Sequence, residues 1–503
     1  MPDIIKKTIL IILSLLLLAA TACQKEEEQG YKGEPAIRMS LQSWDDRSVT
    51  VSFETLFCDA IYCMAQDTLL PVPAAETIVK TGVKAVNNIA EISGLDPDSP
   101  YRVYGVGVLG NVTGSVESVT FVTDEPAPEL YDWEKNRDGF PDMADLMLIP
   151  GGYSGKTPFT WDKDRIYPFV SYTDEEGKEH WLHEAFLFIG GADSRRGRVL
   201  CITPDGKSGN KASWTDFLDY WFMENGGVVP VLDEVIGEVK GRIGDMGHKH
   251  YVVMTMPDPI MFETFGDKNS STTYWGEIDG RTMDFSKIED QIYAYKWFIR
   301  QFRERWAQAA PENLELVGYY ILSEELVDEP SGWNYKYKRW DKILPSVSKY
   351  IHTLNSGLYW IPYYMADGYD NTKNLGIDVA YMQPNKYWDY NREKSWGDIA
   401  EAIREYGLGM ELEFEGTHGE GLNPCSSILE KRSNGKDNEM AATNKQLFRD
   451  YLEFFKREGF YGKVPIAVYT GTNAMYELAT STEPEDVALY HEYCRFIIDS
   501  PLR

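Results

Sequence analysis

The chain has 503 residues, 43% hydrophobic and 13% aromatic, which excludes a disordered chain and is more than one ordinary domain requires. It carries 79 acidic against 50 basic residues, for a formal net charge of −29. That field repels nucleic acid and anionic lipid, so neither is an expected partner, while a neutral ligand such as a sugar remains open.

The first segment, "MPDIIKKTILIILSLLLLAATAC", has Lys6 and Lys7, then an apolar run, then small residues ending at Cys23. This order is that of a secretory signal over residues 1–23. "ATAC" resembles the lipobox of bacterial lipoproteins, which implies cleavage before Cys23 and lipidation of that cysteine. An uncleaved membrane anchor is the alternative, and the apolar run is short for a span. Residues 24–34, beginning "QKEEEQG", read as a flexible tether. Acidic residues directly after the cysteine resemble the surface-export signal of some Gram-negative lipoproteins. The resemblance implies a chain anchored by lipid to the outer membrane, on its periplasmic or cell-surface face. The other cysteines, Cys58, Cys63, Cys201, Cys425 and Cys494, match no zinc motif and read as free thiols, although Cys58 and Cys63 are close enough to bridge.

Residues 35–125 hold short alternating runs, "SVTVSFETL", "AIYCMAQD", "RVYGVGVLG" and "SVESVTFVT", which predict strands. In "ISGLDPDSPYRVYGVGV", Leu95, Pro97 and Tyr101 resemble the corner of a fibronectin type III module. The resemblance implies a small all-β sandwich serving as spacer or packing partner. Residues 126–132 follow as linker, stiffened by Pro126 and Pro128.

From residue 133 to 503 apolar runs alternate with helical patterns. Eight strands are predicted: 145–152, 185–193, 250–259, 314–325, 357–367, 377–387, 407–416 and 464–473. Helical spacing marks "FSKIEDQIYAYKWFIRQFRERWAQ", "RWDKILPSVSKYIHTL", "SWGDIAEAIREYG", "TNKQLFRDYLEFFKREG" and "PEDVALYHEYCRFIID". The alternation predicts a parallel sheet closed into a (β/α)8 TIM barrel. The first crossover, "DRIYPFVSYTDEEGKEHWLHEAF", reads as a β-hairpin turning at Glu176-Gly177. A doubly wound open sheet competes, but no Gly-rich phosphate loop follows any strand.

Polar residues gather at the strand ends: Asp193, Asp258, Glu324, Glu325, Asp367, Gln383, Asn385, Glu413, Glu415 and Asn473. In a parallel barrel these ends converge on one mouth, where the active site of this fold lies. "GLGMELEFEG" is the most informative strand. Met410, Leu412 and Phe414 face the helices, so Glu411, Glu413 and Glu415 face the interior. Carboxylates there are costly unless paired, hydrogen-bonded or wet. Glu411 lies deepest; Glu413 or Glu415 is the candidate nucleophile or base. Glu324 and Glu325 are consecutive, so strand geometry turns only one inward. Two carboxylates across a sugar bond form the glycosidase pair, with Glu324 as general acid/base.

Acid/base on strand four and nucleophile on strand seven resembles the largest clan of retaining (β/α)8 glycoside hydrolases, except that Ser323 stands where that clan has Asn. "GYYILSEE" with "YMQPNKYW" is similar to uncharacterised glycosidase-like barrels of bacterial lipoproteins. That likeness falls on Gly318, Tyr320 and Glu324, then Gln383, Pro384 and Asn385. It implies a poly- or oligosaccharide partner contacted by Tyr320, Gln383 and Asn385, and the strand-end residues Asp258, Glu325 and Asn473 are further expected contacts. Rim aromatics Tyr153, Trp333, Tyr387, Trp388 and Tyr476 are expected to form sugar subsites, against loop packing as the alternative. Loop 261–284 is expected to cover the cleft through Tyr274 and Trp275. His418 is placed beside substrate or Glu415, or packs in its loop. His248 and His250 precede a strand start, the wrong end for a metal site, and read as surface or structural. No cofactor motif is found. A non-catalytic glycan-binding lipoprotein on the same fold is the alternative function, and a structural surface lipoprotein the third.

Overall fold

The computed structural model describes residues 33–68, 70–96, 99–124, 143–154, 156–202, 206–327, 339–387, 395–417, 426–429 and 439–503. The chain divides into two compact units, one comprising residues up to 95 with 99–123, the other 124–503 with 96–98.

The first unit is β-rich. Strands β1 (Ala36–Trp44), β2 (Ser48–Leu56) and β5 (Ile89–Ser93) form one antiparallel sheet. Strands β3 (Ala60–Asp67), β4 (Val83–Lys84), β6 (Pro100–Leu109), β7 (Val112–Thr113) and β8 (Glu117–Val122) form the second. Buried and exposed positions alternate along β2, where Val49, Val51 and Phe53 are inside. The inner faces meet where Trp44 of β1 touches Phe121 of β8, with ring centroids 6.1 Å apart. A short helix, α1 (Ala75–Thr81), buries Ile78 against Tyr104 and Val106 of β6. Cys58 and Cys63 are free thiols, as are Cys201 and Cys494 in the second unit.

The second unit is a closed barrel of eight parallel strands with surrounding helices, of TIM-barrel type. Its staves are β9 (Asp145–Pro150), β10 (Ala185–Ile189), β11 (His250–Met256), β12 (Leu314–Ile321), β13 (Gly357–Trp360), β14 (Val379–Met382), β15 (Gly409–Glu413) and β16 (Ile466–Tyr469). Each pairs with the next in sequence, and β16 closes onto β9. All eight predicted runs contain one of these staves. Every stave ends before the predicted run does, because the residues past the ladder bond to loops, helices and the mouth rather than to a neighbouring strand.

The helices are α2 (Lys163–Val170), α3 (Lys211–Trp221), α4 (Val228–Ile243), α5 (Ile288–Ala309), α6 (Trp340–Thr353), α7 (Trp396–Tyr406), α8 (Glu439–Arg457), α9 (Ala474–Thr480) and α10 (Pro484–Ile498). The first crossover corrects the expectation of a hairpin alone. Its first half is helix α2, capped by Asp162, whose carboxylate accepts from the Arg165 N–H. Ile166, Phe169 and Val170 form its buried face. Only its second half, Ser171–Thr173 against Glu179–Trp181, is a hairpin. Pro168 inside the helix obscured the pattern, since its missing N–H reads as a breaker.

Helix α8 is fastened to α10 by a buried ion pair. Lys445 Nζ donates to Asp486 Oδ1 at 2.5 Å, and Ser481 Oγ donates to Oδ2 at 3.0 Å. Asp486→Ala removes the nearest partner of a buried ammonium and leaves Glu485 at 4.0 Å, so a loss of about 3 kcal/mol is expected in urea denaturation. A loss below about 1 kcal/mol would mean that the pair contributes no more than a surface bridge.

Candidate active site at the barrel mouth

Strand β15 sets the site. Helix α7 ends at Gly407, which takes φ 66° and lets the chain turn into β15 two residues later. Along β15 the side chains alternate. Phe414, just past its end, packs outward on Phe448 of α8 and Tyr493 of α10, with centroids at 4.7 and 5.8 Å. Glu411, Glu413 and Glu415 therefore turn inward, and all three line one cavity of about 810 Å³. The cavity lies at the carboxyl ends of the staves, within the ordinary range of about 300–1,000 Å³ for ligand pockets.

Strand β12 delivers the opposing carboxylates. A bulge between β11 and β12 leaves Val317 without a register partner and brings Gly318 opposite Gly357. A side chain at Gly318 would lie 2.3 Å from the Tyr359 ring and 2.7 Å from the Gly357 carbonyl, so only glycine fits. Period two from Gly318 then aims Tyr320 into the cavity, and Leu322 and Glu324, past the end of the ladder, also line it. Glu325 lines it as well. The expectation that only one of the consecutive glutamates turns inward is corrected: β12 ends at Ile321, so alternation no longer constrains them.

Ser323 fixes the residue before Glu324 from three directions. Its hydroxyl donates to Asp258 Oδ2 and accepts from the Ile202 N–H at 3.1 Å. Its carbonyl accepts from Trp360 Nε1 at 2.7 Å. Asp258 also accepts from the Tyr295 hydroxyl at 3.1 Å. Asp258 is 1% exposed and does not line the cavity, so it is a support beneath Ser323 rather than a ligand contact. Burial pushes its carboxyl up to about 7, against these hydrogen bonds.

Glu324 is exposed to the cavity while protein encloses its other sides. That enclosure raises its pKa, and Gln383 Nε2, donating to Oε1 at 3.2 Å, opposes the rise. Glu413 is buried, with Oε1 lacking any hydrogen-bond partner. Burial, then the charges of Glu324 and Glu415, push it up to about 8, while the Tyr451 hydroxyl opposes. Glu411 is likewise raised, by burial and by Glu413 and Glu324. Glu415 stands higher at the mouth, half-buried, and Ser426 Oγ donates to its Oε2 at 2.6 Å. Backbone bonds of 3.0 Å on both sides of Glu415 seat the segment around Ser426 there.

Asp258 and Glu413 bind protons more tightly folded than unfolded. Their contribution to stability is fully present below about pH 4 and is lost as pH rises through their folded values of about 7 and about 8. Glu413→Gln is therefore expected to gain stability on the parent chain between about pH 5 and about pH 8, by at most about 1.4 kcal/mol per pH unit. Urea midpoints of both proteins across that range check it, and a constant difference between them would contradict it.

Of the other sequence candidates, Tyr320, Gln383 and Asn385 line the cavity. Asn385 takes φ 51°, a left-handed conformation that asparagine tolerates. Tyr387 is corrected: it is fully buried, stacked on Tyr451 at 5.7 Å, and does not reach the cavity. Asn473 does not line the cavity either; its Oδ1 accepts from Arg165. Trp275 is buried against Trp214 and Trp297, at 5.2 and 5.4 Å, and so does not cover the cleft. Tyr274 donates to the Ile260 carbonyl at 2.6 Å. Tyr153 stacks under Arg195, and Tyr476 is exposed; neither lines the cavity. Asp193 is ion-paired to Arg196 at 3.3 Å. His250 is buried against Trp181 and Phe186, a packing role. Cys23, Trp333, Trp388 and His418 lie outside the described residues. Among the described residues no cluster of His, Cys, Asp or Glu is arranged to hold a metal ion.

Sequence reasoning missed Tyr469, Tyr363, Ser323 and Ser426. Tyr469 was within reach, because parallel register sets it opposite Glu413 and hence on the same inward face. Tyr363 pairs with Gln383 beyond the end of β13. Ser426 comes from a distant loop and carries no local signal.

No curated protein matches this chain. Solved structures similar to part of this chain include one titled "Myokine structure", at 16% identity and TM-score 0.15, covering 18% of this chain and 98% of that one. The FN5 domain of Drosophila Lar matches at 18% identity and TM-score 0.15, covering 18% and 96%. The fn3 domain of human collagen alpha-1(XX) chain matches at 14% identity and TM-score 0.16, covering 20% and 98%. One family model, described as a domain of unknown function (DUF4855), matches residues 145–495. This span is most of the chain and includes every stave of the barrel, so the chain belongs to the DUF4855 family.

Proposed function

We propose that this chain is a glycoside hydrolase acting on a poly- or oligosaccharide at the barrel mouth. The observation that carries the reading is the meeting of Glu324 with Glu413 and Glu415 around one cavity that Tyr320, Tyr363 and Tyr469 also line. Opposed carboxylates are what cleavage of a glycosidic bond requires, and aromatic walls suit sugar faces. Glu324, its pKa raised by its surroundings, protonates the leaving oxygen. Glu415, whose Oε2 accepts from the Ser426 hydroxyl, attacks the anomeric carbon or activates water on the opposite face. Glu413, whose pKa lies at about 8, stays protonated at neutral pH and is the weaker candidate for that role. Gln383 orients Glu324, and Asn385 offers its amide to substrate hydroxyls.

The remaining parts follow from sequence. The N-terminal β-rich unit is a fibronectin type III-like spacer, and Cys23 carries a lipid that ties the chain to the outer membrane. Among the described residues no helix is long and apolar enough to cross a membrane. The purified chain incubated with a broad panel of polysaccharides is expected to release reducing ends from at least one. Binding without cleavage across the panel would replace this reading with that of a glycan-binding protein.

A further inference from the structure

The line from Glu324, just past β12, to Glu413 and Glu415, at the end of β15, divides the mouth in two. In the closed order of staves, β13 and β14 lie on one side of it, and β16, β9, β10 and β11 on the other. The two sides differ in chemistry. Past β13 and β14 the cavity is lined by Tyr363, Gln383 and Asn385, which carry a hydroxyl and two amides. On the side of β9 and β10 it is lined by Pro150, Gly151, Gly190, Gly191, Cys201 and Ile202, whose side chains offer at most a weak thiol donor. Tyr469 of β16 adds a ring and a hydroxyl next to β15. The backbone of the apolar wall is already engaged at several points. The Gly151 N–H donates to the Ile189 carbonyl at 2.8 Å, and the Gly191 carbonyl accepts from the Leu200 N–H at 2.9 Å. The Ile202 N–H donates to Ser323 Oγ at 3.1 Å, which sets Ile202 beside the residue preceding Glu324. Ile202 and Val327 also line a second pocket, of about 30 Å³, together with Ile260, Phe262, Phe265 and Trp340. The apolar surface therefore continues past the general acid.

Resting on the hydrolase reading, we propose that the substrate is a sugar joined to an apolar aglycone, which lies against the wall of Gly191, Cys201 and Ile202. This narrows the oligosaccharide of that reading to one that ends in an alkyl or aryl group. A glycosidic bond held between two carboxylates has its sugar on one side and its leaving group on the other. The sugar takes the side that offers amides, because hydroxyls pressed on an apolar wall lose the hydrogen bonds that water gave them. An alkyl or aryl group loses none there and gains by leaving water. Cleavage breaks the anomeric C–O bond. The leaving oxygen takes the Glu324 proton and departs in an apolar alcohol, while water gives its hydroxyl to the anomeric carbon and a proton back to Glu324. Gly191 keeps the wall open. A Cβ at position 191 would meet only Cys201 Sγ, 3.9 Å away, whereas one at Gly190 would lie 2.6 Å from the Gly151 carbonyl oxygen. Position 191 can therefore accept a side chain, and that side chain would fill the place of the aglycone.

The test is calorimetry on the full chain carrying Glu324→Gln, which removes the general acid and stops turnover. The probes are methyl and hexyl glycosides of glucose, galactose, mannose and N-acetylglucosamine, in both anomers. For at least one of them the hexyl glycoside is expected to bind at least about tenfold more tightly than its methyl counterpart. Adding Gly191→Leu removes that margin. Ile202→Ser, which keeps the backbone bond to Ser323, also removes it and serves where the leucine prevents folding. A margin below about tenfold for every sugar, a margin that survives either change in a folded protein, or no binding of any hexyl glycoside overturns the proposal. The two readings fail separately. A wild-type chain that releases reducing ends from oligosaccharides, while the margin is missing, keeps the hydrolase reading and removes this one. A chain that shows the margin and releases hexanol from no hexyl glycoside keeps the aglycone site and removes the hydrolase reading.

Discussion

Glu324→Gln is expected to lower turnover by about 10²–10⁴-fold while leaving oligosaccharide affinity within about threefold of the parent. The amide has the shape of the acid but no proton to give the leaving oxygen. It keeps its contact with Gln383, whose Nε2 lies 3.2 Å from Oε1 in the parent. Ser323, tied to Asp258, Ile202 and Trp360, fixes the backbone before position 324 whatever side chain follows. The loss is therefore chemical rather than positional, and the substrate sets its size. A glycoside with a good leaving group, such as an aryl glycoside, needs little protonation, so its kcat/KM, which reports the first bond cleavage, should be almost the same in the variant as in the parent. Rates on an aryl glycoside and on a natural linkage, taken side by side, decide the matter. An equal loss on both would remove Glu324 from the general-acid role.

The barrel was legible because its staves are apolar runs separated by long helical patterns, and such runs have few other folds to adopt. The inward face of β15 was legible for a sharper reason. Alternating Met410, Glu411, Leu412, Glu413 and Phe414 admit two orientations, and only one buries the apolar side against helices. Side-chain direction beyond the ladder was not legible. Asp258 and Glu324 both follow a strand end, yet Asp258 turns beneath Ser323 and Glu324 turns to the cavity. Strand alternation ends with the ladder, and hydrogen bonds from distant segments decide the rest. Trp275 illustrates the same limit for aromatics. A loop tryptophan can lie over the mouth or reach back between helices, and Trp214 with Trp297 supplies the apolar seat that draws it inward. Ser323 fills the position where the large retaining clan carries asparagine, and here it lines the cavity while its hydrogen bonds hold the backbone before Glu324.

Glu415→Gln and Glu413→Gln are expected to part company. Removing the carboxylate that attacks carbon or activates water abolishes chemistry, so Glu415→Gln should lose at least about 10⁴-fold in kcat/KM, beyond the usual general-acid effect. Glu413→Gln replaces a group that is already neutral at pH 7, since burial and the charges of Glu324 and Glu415 push it up to about 8. Its isosteric amide keeps the hydrogen bond with Tyr451 possible, so the catalytic loss should stay below about 10²-fold and fall mainly on KM. Azide rescue makes the contrast sharper for a retaining enzyme. In Glu415→Ala the small anion can occupy the vacated space and attack the anomeric carbon of an aryl glycoside, giving a glycosyl azide of inverted configuration. Glu413→Ala offers no such route, because Glu415 still occupies the attacking position. If the ranking reverses, with Glu413→Gln inactive and Glu415→Gln active, the nucleophile sits one step deeper in the barrel. Substrate binding would then have to strip the proton from Glu413 before any bond is broken, and its raised pKa would appear as the acid limb of the kcat/KM profile.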